Sequence, residues 1–320
     1  MHSLCASFSL FMHMTHSKNA AMNTRDWLAA GLIAAIWGLN FSFIKLGVAH
    51  IDPLVLAALR FALCALPGVF LLPRPQLAWR WVLGYGLLFG VGTWAMVTLA
   101  LRTGLSPGLA AWLLQSSAFI TPLLAVLLLK ERMLDRQRWG AGIALLGFGL
   151  VLWHTAGQAS ALGLLAMGVA ALSLSLANVL VRRSGVKQML SLMVWSSLVA
   201  PLPLLALACG LQGPQVLTDL PMQLQQPWAA SSLAFQVYPT TLFGYWVWNT
   251  LIARHGAGTV APVALLVPVF ATGFTALIFG VWPSLGQALG IGGIALGLAV
   301  SAGLMAWPRR QPSVAQAPRS

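Results

Sequence analysis

Asn40 and Lys45 put an amide and an ammonium into an otherwise apolar stretch, AAIWGLNFSFIKLG at 34–47. An amide both donates and accepts, and an ammonium can neutralise a carboxylate. A charge at the centre of a membrane span costs about 2.5–3.5 kcal/mol on insertion scales, so the pair needs a purpose. Lys45 has two readings: its long stem snorkels to the outer headgroups, or it meets a carboxylate of a substrate. On an ideal helix the two side chains point about 140° apart, so sharing one ligand would require the lysine to wrap round. Arg60 lies about two turns into the next apolar run and also has two readings, tying helices together through backbone carbonyls or bonding a substrate carboxylate. Gln115, in LLQSSAF without a charged neighbour, fits a polar wall. Catalysis has no comparable constellation: there is no HExxH and no His facing Glu. Cys5, Cys64 and Cys209 lack pairing or metal-ligand spacing. The chain offers no catalytic residue, no metal site and no cofactor site.

The elements that must position these groups follow from composition. Of the 320 residues 59% are hydrophobic and 7% are charged, and the mean hydropathy is +0.84. Soluble domains carry about 25% charged residues, so this is an all-α polytopic membrane protein whose partner is the lipid bilayer. The net charge of +13 does not indicate nucleic acid, because the basic residues fall in short clusters between apolar runs. Runs of about 20 apolar residues predict ten transmembrane helices at 27–48, 54–72, 80–101, 106–129, 139–155, 161–181, 189–211, 230–253, 259–281 and 285–306. With the N-terminus inside, 15 of the 18 Lys and Arg residues are cytoplasmic, Arg102 is outside, and Lys45 and Arg60 lie within spans. That asymmetry predicts a multi-pass protein with both termini in the cytoplasm. Trp27, Trp79, Trp81, Trp139, Trp153, Trp228, Trp282 and Trp307 fall at span ends, as an interfacial belt would. Residues 1–25 form an N-terminal extension without the basic start of a signal peptide; it reads as disordered or as a misassigned start ahead of Met22.

NFSFIKLG at 40–47 and NVLVRRSG at 178–185 share an Asn, a base and a Gly at the same spacing, 138 residues apart. GIAL occurs at Gly142 and again at Gly293. These echoes predict two five-helix repeats, 26–156 and 157–306, followed by a tail at 307–320. Five is odd, so the second repeat is inverted, as in many alternating-access carriers with a site near the midplane. Asn40 and Asn178 would then line two sides of one polar cavity; each could instead be structural glue between helices.

WGLNFSFIKLG, PLVLAALRFAL, GLAAWLLQSSAF, LLLKER, LSLMVWSSLVAPLP, FGYWVWNTL and VAPVALLVPVF together resemble the EamA-type branch of the drug/metabolite transporter superfamily, and within it the bacterial O-acetylserine/cysteine exporters. The resemblance covers about 22–306. It implies a ten-helix basket in the bacterial inner membrane that exports a small-molecule substrate of the amino-acid type. It also implies a cavity lined by Trp37, Asn40, Lys45, Gln115, Asn178, Tyr245, Trp248 and Asn249. An importer or a broad drug-efflux carrier of the same superfamily is the alternative. One departure stands out: Glu131 is present, but the repeat-related positions Val281 and Trp282 carry no acid. The five acids, Asp26, Asp52, Glu131, Asp135 and Asp219, all avoid span interiors, so no buried carboxylate relay for protons is visible.

Overall fold

The computed structural model describes residues 22–130, 133–155 and 160–304. The start of the N-terminal extension, Cys5, Glu131 and the C-terminal tail lie outside the described residues. Within them the chain forms ten long helical runs. These are α1 (Thr24–Gly47), α2 (Pro53–Leu71), α3 (Trp79–Arg102), α4 (Pro107–Leu129), α5 (Asp135–Thr155), α6 (Ala161–Ser184), α7 (Met189–Gln212), α8 (227–255), α9 (Ala261–Phe279) and α10 (Leu285–Ala302). Eight are long and apolar enough to cross a membrane. The other two are α5, which opens on Asp135, Arg136 and Arg138, and α8, whose middle carries Gln236, Thr240, Thr241 and Asn249. The protein is an all-helical polytopic membrane protein.

Local sequence sets the helix starts. Asn23 caps α1, Asp52 caps α2 ahead of Pro53, Ser106 caps α4 ahead of Pro107, Ser160 caps α6, and Ser284 with Gln287 makes a capping box on α10. Each side chain accepts a backbone N–H that the first turn would otherwise leave unpaired. Proline at the first helical position costs no hydrogen bond there.

Two helices depart from α geometry in their middles and a third at its start. α3 is π-helical over Leu87–Ala95 and α8 over Gln236–Phe243. In each, a threonine hydroxyl donates to the carbonyl five residues earlier, Thr93 to Leu88 at 2.9 Å and Thr241 to Gln236 at 2.7 Å. Wide turns of this kind are rare and concentrate at functional sites. α9 begins with a 3₁₀ stretch, Ala261–Leu265, around Pro262. α4 and α7 are interrupted at Gln115–Ser116 and at 197–200.

α5 and α10 make the tightest helix pair, and glycine is the reason. A Cβ added at Gly140 would lie 2.5 Å from Gly297 O, and one at Gly147 would lie 2.6 Å from Gly290 O and from Ile294 N. The backbones themselves touch, as small residues allow between helices in lipid. As numbers rise along α5 they fall along α10, so the helices run antiparallel. The contacts also exchange: adding 150 turns Gly140 into Gly290 and Gly147 into Gly297, and the touching pairs are 140 with 297 and 147 with 290.

The packing of the first five helices is partly mirrored in the last five. α1 packs on α8 and α9, while α6 packs on α3 and α4. α2 packs on α7. The mirroring breaks at one place. α1 also packs on α3 and α4 of its own half, and α6 makes no comparable packing with α8 or α9.

Candidate functional site

The polar residues of the interior converge where α1, α2, α3 and α8 meet. Trp37 of α1 packs its ring 5.2 Å from that of Tyr245 and 4.9 Å from that of Trp248, both on α8, tilted by 47° and 53°. Its indole N–H donates to the carbonyl of Thr240, at 3.0 Å, inside the π-helical segment. A switch between i−5 and i−4 pairing leaves a carbonyl without a helical donor, and a side chain can supply one. Gly244 permits the approach, since a Cβ there would stand 2.8 Å from Trp37 Nε1. From Tyr245 the aromatic contacts continue to Phe89 at 6.3 Å and on to Trp94 at 6.2 Å, both on the π segment of α3.

Arg60 of α2 lies at the end of this ladder and is 1% exposed. Its guanidinium sits over the Trp94 ring at 4.3 Å, and Nη2 donates to Thr241 Oγ1 at 3.2 Å. Nε and Nη1 have no hydrogen-bond partner. The arginine therefore joins the π segment of α3, through Trp94, to that of α8, through Thr241. A polar chain extends beyond it: Thr241 donates to Gln236 O, Gln236 Nε2 to Ser232 Oγ at 3.0 Å, and Ser232 to Phe43 O at 2.6 Å. Asn40 Oδ1, Gln236 Oε1, Thr240 Oγ1, Trp94 Nε1 and Asn249 Nδ2 are buried without partners. Buried polar atoms of this kind are usually paired with protein or ordered water.

The remaining sequence candidates are placed differently. Asn40 is 1% exposed, whereas Asn178 is exposed and donates to Thr121 Oγ1 at 3.4 Å. The two occupy matching places on helices of 24 residues each, yet their settings differ. Gln115 is half-buried at the break in α4. Lys45 is half-buried, and its Nζ donates to Leu101 O at 2.6 Å, at the end of α3. Arg102 returns the gesture, donating to Val48 O at 2.6 Å. Together they clamp the ends of α1 and α3. Lys45→Met is expected to lower stability by about 1–3 kcal/mol, the worth of a hydrogen bond from a charged group, with Lys45→Arg largely retaining it. Melting of the purified variants checks this, and an unchanged midpoint in the Met variant would sink the clamp.

Trp94, Gln236, Thr240, Thr241 and Cys64, which lies beside Thr241, escaped the sequence reading. The signal for three of them was present in AFQVYPTTLFG, a polar cluster around a proline within an apolar run. At the other end of α1, Asp26 pairs with His255 of α8 at 2.9 Å, both largely buried. An apolar groove between α4, α5 and α6, lined by Leu113, Ile120, Phe148 and Met167, lies apart from the polar cluster.

The fold and its polar interior define the class, a helical polytopic membrane protein. The chain belongs to the EamA-like transporter family, whose model matches residues 3–153 and again 161–303. It is 35% identical over 266 residues to a protein of Salmonella typhimurium named "Probable amino-acid metabolite efflux pump", covering 81% of this chain and 88% of that one. A protein of the same name from Escherichia coli is 35% identical over 265 residues, with 80% and 88% covered. A solved crystal structure superposes with a TM-score of 0.59 over 91% of this chain and 100% of the other, at 20% identity, which is a likeness of fold.

Proposed function

We propose that this protein exports small amino-acid-like metabolites, of the O-acetylserine and cysteine type, across the bacterial inner membrane by alternating access. The observation that carries the reading is the 35% identity, across most of both chains, to two proteins named as amino-acid metabolite efflux pumps. In this reading all ten helical runs cross the bilayer as two inverted repeats, 26–156 and 157–306. The exchange of Gly140·Gly297 with Gly147·Gly290 supports it, because a two-fold axis between antiparallel helices relates elements of opposite direction. The paired π segments of α3 and α8, each with its threonine, support the same axis. Both termini are cytoplasmic, from the distribution of Lys and Arg.

The substrate site is the region of Trp37, Asn40, Tyr245, Trp248 and Asn249, with Gln115 and Asn178 lining the path to it. Lys45 serves this site from the rim, by holding α1 against α3. The test is counterflow in proteoliposomes against a panel of amino acids, O-acetylserine and apolar cationic drugs. Exchange of cysteine and O-acetylserine is the expected result. Exchange of the drugs without the amino acids would replace this reading with broad drug efflux, and uptake by cells expressing the protein would reverse its direction.

A further inference from the structure

We propose that the Arg60 guanidinium is the anchor for the carboxylate of the transported molecule, held at the junction of the two π-helical segments; this rests on the amino-acid reading above. A guanidinium keeps its proton under all ordinary conditions. Once buried it must find an opposite charge, because an uncompensated buried ion is strongly destabilising. No carboxylate among the described residues supplies one. Asp26 pairs with His255, Asp52 caps α2 and receives Gln212, and Asp135 pairs with Arg138 on the surface. Asp219 lies in the short helices between α7 and α8. Yet Nε and Nη1 of Arg60 are both enclosed and without acceptors.

The surroundings suit a small planar anion. The Trp94 ring covers one face of the guanidinium at 4.3 Å, which leaves the in-plane N–H edges for hydrogen bonding. A planar fork of donors matches a carboxylate in two-point contact. Thr241 holds Nη2 and so fixes the plane. Tyr245 stands four residues after Thr241 on α8 and belongs to the Trp37–Tyr245–Trp248 ring cluster. Those π faces suit the ammonium end of the same ligand. The other in-span cation, Lys45, already donates to Leu101 O.

The experiment measures binding rather than transport. The full-length protein in lipid nanodiscs is titrated calorimetrically with L-cysteine and O-acetyl-L-serine, then with L-cysteinamide, at fixed chloride and phosphate. The acids are expected to bind at least about tenfold more tightly than the amide, the worth of a charge-assisted hydrogen bond. Arg60→Met is expected to erase that preference, and Arg60→Lys to keep part of it. Should Arg60→Met fail to fold, Thr241→Val tests the same point, weakening the acids several-fold and leaving the amide unchanged. Equal binding of acid and amide by the wild type would overturn the carboxylate anchor while leaving the amino-acid reading intact. So would a preference that survives in Arg60→Met, or a calorimetric response to chloride or phosphate alone that the acids cannot displace. Binding of neither acids nor amide would overturn both.

Discussion

Gly147→Leu is expected to remove most folded protein from the membrane, and Gly297→Leu to do the same. Leucine is favourable in lipid and a strong helix former, so insertion and propensity are not at issue. The new Cβ alone would lie 2.6 Å from Gly290 O in the first variant and 2.5 Å from Gly140 O in the second. The atom it meets is backbone, which cannot rotate away. α5 and α10 would have to separate along their whole contact, which exceeds the roughly 1–3 kcal/mol of ordinary overpacking. Gly142→Leu is the control. It lies on the same helix and opens one of the two GIAL tetrapeptides, but a Cβ there has nothing within 4 Å. Detergent-extracted yield on size-exclusion chromatography should collapse for Gly147 and Gly297 and hold for Gly142. A normal yield and melting point in Gly147→Leu would mean that the helices do not meet as described.

Trp37→Ala is expected to abolish export while leaving the protein in the membrane. The indole joins Tyr245 and Trp248 and satisfies the Thr240 carbonyl. Truncating a large aromatic among such neighbours costs about 3–5 kcal/mol, and here the loss falls on the arrangement of the proposed site. Trp37→Phe separates the two contributions. It keeps a ring for stacking and loses the N–H, so a reduction of several-fold to about tenfold is expected, in line with one hydrogen bond. Initial rates of cysteine release, normalised to protein in the membrane, distinguish the cases. Wild-type release by the alanine variant would remove Trp37 from the site.

The run of apolar residues made the helices legible. Predicted spans at 27–48, 161–181 and 285–306 correspond to Thr24–Gly47, Ala161–Ser184 and Leu285–Ala302. Asn40 stood out because an amide is conspicuous in such a run, whereas Trp37 came only from the family resemblance. The internal geometry was not. Pairing at i−5 leaves no mark on apolarity, so the π segments around Thr93 and Thr241 could not be read. Pro262 and Pro268 were equally visible, yet the first sits in a 3₁₀ stretch and the second inside regular α-helix. The charge on Lys45 was plain; its acceptor, a carbonyl 56 residues away, depends on how α1 lies against α3. Arg60 shows the same limit from the other side. Its depth in the helix was evident, and so was the absence of acids from span interiors, but its place over Trp94 and against Thr241 depends on how α2 lies between α3 and α8.

The unequal packing of α1 and α6 has an energetic meaning if the halves are inverted copies. A single arrangement of two such copies, with α1 packed against α3 and α4, implies its opposite. Let the halves trade conformations, and α6 closes on α8 and α9 while α1 lets go of α3 and α4. Asn178 then passes under cover as Asn40 emerges. The Lys45–Leu101 and Arg102–Val48 clamp becomes a bolt to be drawn once per cycle. Under the proposed two-fold relation, Arg183, which stands at the place in α6 that Lys45 holds in α1, would be its counterpart at the other end. The two bolts would be unlike, an ammonium at Lys45 and a guanidinium at Arg183. Two states held by unlike bolts differ in free energy, and that difference sets which way the empty carrier rests.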